Sequence, residues 1–401
     1  AIRAAKAAAP LGPATSAAPT RRGPSEEALR KAAAAAALKG KSIIPGCEAP
    51  IVPGRCPFYL QSIFRAGGHG RRAAMNTVAV LPDTIHAVTC GDDGVCWVFD
   101  ICTGFPVQCL VPDGWAAGKP RPVRSVTTIC DSTHIVSAGD AAIGGVAHVW
   151  NWREGRHEAS LRCGGAFLSS SDDLSARSAI LGCADGSATV WNWNSGERVV
   201  ARMATGHVAR FLEGTEDSVF NANESHPVIA RALGLVHASL GAVTSVAYTP
   251  TSPGHFVTGS ADGKVRLWDA GSGTLVRCMM GRHSGRVNAV AAFPDLFKAA
   301  SGGDDGVINM WDLTSGLLLR RFEQLYAGPV LSLQVVPGGR AFFAGSQDGY
   351  VRIWSTESFL LLCGIQTGGG PVRGLALNPS NPMNQVITAN EDGLVRVFAP
   401  R

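Results

Sequence analysis

Six times in this 401-residue chain an Asp-Gly pair is followed, six residues after the Asp, by an aromatic, and that recurrence limits the fold more than any other property. The copies run Thr89–Asp100, Leu181–Asn192, Thr258–Asp269, Ser301–Asp312, Ala344–Ser355 and Thr388–Ala399. A seventh, Ser137–Asn151, keeps its Trp behind a turn three residues longer. Asp-Gly between alternating apolar residues signals a hairpin, because the tight turn needs positive φ and glycine has no Cβ to clash there. VRLW (Val265–Trp268) and VRIW (Val351–Trp354) begin with the alternation of a strand that buries one face. One such sheet cannot cover both its faces. Stacking copies of it, and closing the stack on itself, buries the faces and protects the edges.

The marker aromatics Phe99, Trp150, Trp191, Trp268, Trp311, Trp354 and Phe398 are spaced 51, 41, 77, 43, 43 and 44 residues apart. A period of about 40–45 residues belongs to four-stranded propeller blades, and on these motifs the chain resembles the WD-repeat (WD40) family over residues 57–401. The resemblance implies an all-β WD40-type propeller of seven blades with an insertion, or of eight blades. It also implies a hydrogen-bonded set: His before the first strand, Ser or Thr in the second, Asp in the turn and Trp in the third. His283, Ser301, Asp305 and Trp311 fit all four positions. Thr258, Asp262 and Trp268 fit three, and His69, Thr89 and Asp93 fit with Phe99 in place of the Trp, which removes the indole donor. Asp348 with Trp354, Thr388 with Asp392, and Asp185 with Trp191 match in part. These groups are expected to hold the fold together, not to catalyse.

The last repeat stops soon after its third strand, so its fourth must come from elsewhere. FYLQSIFR (Phe58–Arg65) precedes Gly68-His69 much as TLVRCMM (Thr274–Met280) precedes Gly281 and His283. Residues 57–65 are therefore expected to close the final blade. The 77-residue step before Trp268 exceeds the others by most of a blade. Residues 204–241 read either as an inserted excursion, with Ile229, Leu233, Val236 and Leu240 on one helical face, or as a degenerate eighth blade.

Ahead of the repeats lies an extension, residues 1–56. Ser25 is a good N-cap, Glu26 and Glu27 suit the positive end of a helix, and the alanine run continues one over about 25–39. Residues 1–24 contain no acid and resemble an organelle transit peptide or a basic, Ala-rich tail. They point to a mitochondrion or plastid, with the cytosol as the alternative. Residues 1–41 hold eight basic and two acidic residues, a net +6, which leaves −1 for the rest of a chain whose total is +5. The body thus lacks a broad electrostatic footprint for nucleic acid, and only the arm offers one. The eleven cysteines are scattered and odd in number, which favours reduced thiols packed as small apolar residues in a reducing compartment. The closest group, Cys90, Cys96, Cys102 and Cys109, matches no zinc spacing. No run of 18 apolar residues is present.

No phosphate loop, His-Glu-x-x-His or Gly-x-Ser-x-Gly motif occurs. No catalytic residue, metal site or cofactor is expected, and the chain reads as no enzyme. In the family, the propeller face where the innermost strands start commonly holds peptides or neighbouring subunits. The second positions of those strands give Asn76, Arg124, Thr244, Asn288, Leu331 and Arg373 as candidate partner-binding residues. Beside them, Asp92, Asp304, Gln347 and Glu391 precede the turn Asp. The expected function is a WD-repeat scaffold within a multisubunit protein assembly, its arm docked on partners. The alternative is an RNA- or ribosome-associated propeller using the basic arm.

Overall fold

At the Asp-Gly turns Gly94, Gly186, Gly263, Gly306, Gly349 and Gly393 all have φ between 70° and 84°. Space as well as conformation demands glycine there: a Cβ on Gly94 would lie 2.5 Å from the Arg121 carbonyl oxygen. These turns close the central hairpins of a molecule described, in a computed structural model, over residues 58–65, 73–112, 121–129, 133–141, 144–163, 165–173, 178–192, 203–204, 241–250, 254–294, 297–323, 328–378 and 385–400.

The described chain enters on β1 (Phe58–Arg65) and then builds blades of four antiparallel strands. Blade 1 is β2 (Met75–Val80), β3 (His86–Gly91), β4 (Cys96–Asp100) and β5 (Pro106–Leu110). Blade 2 is β6 (Val123–Thr128), β7 (His134–Asp140), β8 (Gly145–Asn151) and β9 (Arg156–Cys163). Blade 3 is β10 (Phe167–Asp173), β11 (Ser178–Cys183), β12 (Ser187–Asn192) and the short β13 (Met203–Ala204). Blade 4 is β14 (Val243–Tyr248), β15 (His255–Ser260), β16 (Val265–Asp269) and β17 (Leu275–Cys278). Blade 5 is β18 (Val287–Ala292), β19 (Lys298–Gly303), β20 (Val307–Asp312) and β21 (Leu318–Glu323). Blade 6 is β22 (Val330–Val335), β23 (Ala341–Ser346), β24 (Tyr350–Ser355) and β25 (Leu361–Gln366). Blade 7 takes β26 (Val372–Asn378), β27 (Gln385–Asn390) and β28 (Leu394–Pro400) from the end of the chain and β1 from its start, in the order β1-β28-β27-β26.

The innermost strands touch in cyclic order, and β26 meets β2 to complete the ring. Blades 3 and 4 are direct neighbours: β10 packs on β14, and the Tyr248 N–H donates to Ser171 Oγ at 3.0 Å. The molecule therefore has seven blades, and the long step before Trp268 is not an eighth. Residues 205–240, the extension 1–56 with its expected helix, and His69 lie outside the described residues.

The core is a series of seams between blades. At one of them Ile308, Met310 and Phe322 of blade 5 meet Phe342 and Trp354 of blade 6, with Phe322 edge-on to both rings at 5.2 and 5.4 Å. Polar stitches cross the same seams in a repeated pattern. Asn76 Nδ2 donates to Val123 O (2.9 Å), Thr244 Oγ1 to Val287 O, Asn288 Nδ2 to Val330 O (3.1 Å) and Ser332 Oγ to Val372 O (3.1 Å). In each case the acceptor is the first residue of the next inner strand. Where the second position is apolar Leu331, Ser332 makes the stitch one residue later.

The structure departs from the reduced-thiol reading at one place. Register sets Cys90 directly opposite Cys96 across the β3–β4 hairpin, with Cα atoms 4.5 Å apart, and the two are joined in a disulfide.

Candidate interaction face

At the mouth where the inner strands begin, three blades are linked by charge. Arg373 donates to Glu391 (2.9 Å) and to Asn76 Oδ1 (3.0 Å), and Asn76 Nδ2 reaches Asp92 (2.8 Å). Arg124 lies 3.8 Å from Asp92 and 3.1 Å from Asp140. Across the ring, Asn288 Nδ2 donates to Asp304 at 2.7 Å. The structure thus gathers the sequence-derived residues into one rim but divides their roles. Thr244 is buried and spends its hydroxyl on the Gly259 and Val287 carbonyls, so it is corrected from surface contact to ring stitch. Asn76, Asn288 and Leu331 are half-buried, the two Asn inside the inter-blade ladder. Asp304, Gln347 and Glu391 stand exposed, while Asp92, Arg124 and Arg373 are half-exposed.

Behind this rim sits the buried polar layer. His283, Ser301, Asp305 and Trp311 come together: His283 Nδ1 meets Asp305 at 3.0 Å, its Nε2 meets Ser301 Oγ at 2.7 Å, and Trp311 Nε1 donates to Ser301 Oγ at 2.8 Å. Trp268 Nε1 likewise donates to Thr258 Oγ1 (3.0 Å), and Trp150 Nε1 to Ser137 Oγ (2.9 Å). With Phe99 at the marker position in place of a Trp, Thr89 Oγ1 donates to the Thr77 carbonyl instead. In blade 6 the hydroxyl position is Ala344, and Trp354 Nε1 is buried without a hydrogen bond. A cleft of about 390 Å³ beside this layer is lined by Arg282, His283, Ser284, Arg321 and the turn residues Asp262 and Asp305.

Sequence reasoning missed a further set. Arg266, Arg352 and Arg396 each lie four residues after a turn Asp and bond back to it, at 2.7 Å for Asp262 and 2.6 Å for Asp348, with Asp392 the third. All three guanidiniums are nearly buried. In blade 5 the corresponding residue is Asn309, whose Nδ2 lies 3.2 Å from His283 Nε2. Three of the blades with no matched His thus hold the turn with Arg. The signal was present as Asp-Gly-x-x-Arg in three of the six copies.

Burial works against ionisation of Asp262, Asp305 and Asp348, but the bonds and charge of Arg266, His283 and Arg352 outweigh it and hold all three below the ordinary carboxyl range. A depressed folded pKa gives stability that is fully present above the unfolded value of about 3.9 and lost as pH falls through the folded one. The melting temperature is expected to be insensitive to these groups above about pH 5 and to fall below about pH 4. In Asp262→Asn, thermal melts should show a shallower acid limb; an unaltered limb would remove Asp262 from the account.

Among the described residues no group of three or more His, Cys, Asp or Glu side chains is placed to hold a metal ion. Nor is any helix among them long and apolar enough to cross a membrane.

Seven four-stranded sheets closed in a ring, with turns crowding one mouth, define a β-propeller. A family model described as WD domain, G-beta repeat matches residues 234–269, 273–312 and 319–355. The second and third matched stretches each join the outer strand of one blade (β17 or β21) to the three inner strands of the next. That offset is the reason β1 is left to complete the last blade. The repeats matched between residues 234 and 355, together with the seven-bladed ring, make this a WD-repeat propeller, a fold that generally binds other proteins and is typically a non-catalytic scaffold. No curated protein gave a match to the chain.

Proposed function

We propose that this propeller is a non-catalytic scaffold subunit of a larger protein assembly, binding partners at the mouth described above and through its N-terminal arm. One observation carries the reading: Asp304, Gln347 and Glu391 are exposed on a rim whose neighbours Asn288, Ser332 and Arg373 are locked by inter-blade bonds. A surface fixed before binding loses little entropy when a partner arrives. The carboxylates support it from the chemical side. Asp262, Asp305 and Asp348 are held ionised by structural partners, whereas a general acid at neutral pH needs its pKa raised.

Affinity capture of the tagged full-length chain, followed by crosslinking, tests the proposal. Ala261→Arg with Gln347→Arg changes two exposed rim positions that carry no side-chain bond of the inter-blade ladder. The double variant is expected to lose captured proteins while melting as the parent does; an unchanged partner set in it, and in a chain lacking residues 1–56, would overturn the reading. The net +6 of residues 1–41 favours a second reading, RNA association through the arm. It requires binding that vanishes without those residues and falls steeply with salt.

A further inference from the structure

Two residues before each marker aromatic the blades carry Trp97, His148, Thr189, Arg266, Asn309, Arg352 and Arg396. In three blades this residue is the Arg that reaches the turn Asp, and in blade 5 it is the Asn beside His283. Blade 2 differs. Its turn is longer, and Asp140, at the end of β7, gives its carboxylate to Arg124. His148 therefore engages the outer strand β9. There the register runs His148↔Ser160, Val149↔Ala159 and Trp150↔His157, so Glu158 is an extra, unpaired residue. Such a bulge re-aims the side chains beyond it, and here it carries His157 onto the face that holds His148, Trp150 and Ser160.

Three donor atoms then converge. His148 Nδ1 and His157 Nε2 are 3.2 Å apart, and Ser160 Oγ lies 2.9 Å from the first and 2.8 Å from the second. Two imidazoles on a tetrahedral zinc ion, with bonds of about 2.0–2.1 Å, have their ligating nitrogens separated by about 3.3 Å. The rings are held in place from below: both lie against Trp150, with centroids at 5.7 and 5.2 Å, and Trp150 is itself pinned to Ser137. The contacts of Ser160 with both rings are exposed, so an ion can enter from solvent.

We propose that His148 and His157, with Ser160 at a third corner, form a binding site for a borderline divalent cation of the zinc class, its fourth position left to water or to a partner's side chain. Imidazole nitrogen suits zinc, copper and nickel, and not magnesium or calcium. Binding requires both rings neutral with their hydrogens on the outer nitrogens, so it weakens in acid. The site is independent of the scaffold reading, because it depends on donors present in this chain alone.

The test uses the full-length chain with its thiols alkylated, titrated with zinc chloride in a calorimeter. One equivalent is expected for the parent and for Ser160→Ala, the latter at lower affinity. That equivalent should disappear in both His148→Gln and His157→Gln. In the parent labelled with ¹⁵N-histidine, zinc should shift Nδ1 of one ring and Nε2 of another, the asymmetry this geometry requires. Calcium chloride should produce neither effect. Equal zinc stoichiometry in the parent and both His variants overturns the proposal, as does zinc that leaves every imidazole nitrogen of the parent unshifted. The second readout needs no variant, so a misfolded mutant cannot leave the matter open.

Discussion

A chain trimmed to begin at residue 66 is expected to melt far below one trimmed to begin at residue 58, or not to fold. The eight residues between are β1, and both of their ends work at seams. Phe64 is 1 % exposed and lies flat against Phe99 of blade 1, ring centroids 4.6 Å apart. Phe58 is 4 % exposed and meets Phe343 of blade 6 edge-on at 6.2 Å. Between them the ladder to β28 runs from Phe58↔Pro400 to Arg65↔Leu394, and Ser62 Oγ donates to the Ile101 carbonyl at 2.9 Å. Truncating one buried Phe typically costs about 3–5 kcal/mol. Losing both, with the strand that carries them, approaches the whole stability of a typical domain, about 5–15 kcal/mol. Phe64→Ala alone should lower the melting temperature clearly, whereas an exposed neighbour on the same strand, Tyr59→Ala, should not. Calorimetric scans of the two trimmed chains decide the matter: coincident melts would mean that β1 is an ornament on a ring that closes without it.

What was legible in the sequence followed from local chemistry repeated often enough to give a period. Gly94, Gly263, Gly349 and Gly393 announce their turns because no other residue tolerates both that φ and a carbonyl oxygen within 3.0 Å. Trp150, Trp268, Trp311 and Trp354 mark the third strands because a large ring must fill each seam. The tetrad of His283, Ser301, Asp305 and Trp311 was legible for the same reason: its members sit at fixed offsets within one repeat. Relations across a seam, or across a register shift, were not. Thr244 looks like a surface residue until the next blade brings the Val287 carbonyl against it. His157 reads as facing away from Ser160 unless the bulge at Glu158 is known. Cys90 and Cys96 flank a turn in the sequence, yet only their register shows that they stand opposite each other. The number of blades was ambiguous because the 77-residue step carries no repeat; the contact of β10 with β14 decides it.

Asp262→Ala is expected to cost more than removing most tetrad members, although the tetrad is the motif the eye finds first. Its partner Arg266 has 5 % of its side chain exposed, and Asp262 has 7 %. Deleting the carboxylate leaves a guanidinium in the blade with its main counter-charge gone, and breaking a buried pair from one side costs about 3–5 kcal/mol. His283, by contrast, is an imidazole and not a fixed cation like a guanidinium, so Asp305→Ala forfeits hydrogen bonds but strands no obligatory charge. Its cost should be nearer the ~1–3 kcal/mol of an unsatisfied polar group. Chemical denaturation of both variants should therefore rank Asp262→Ala below Asp305→Ala in stability. Adding Arg266→Met to the first should recover much of the loss, because a buried pair replaced whole by apolar groups is often neutral. A double variant as unstable as Asp262→Ala alone would show that Arg266 contributes packing and not charge. If recovery is seen, the loss in Asp262→Ala comes from the stranded guanidinium and not from the missing carboxylate contacts, which is the difference between the Asp-Gly-x-x-Arg arrangement and the His-centred one.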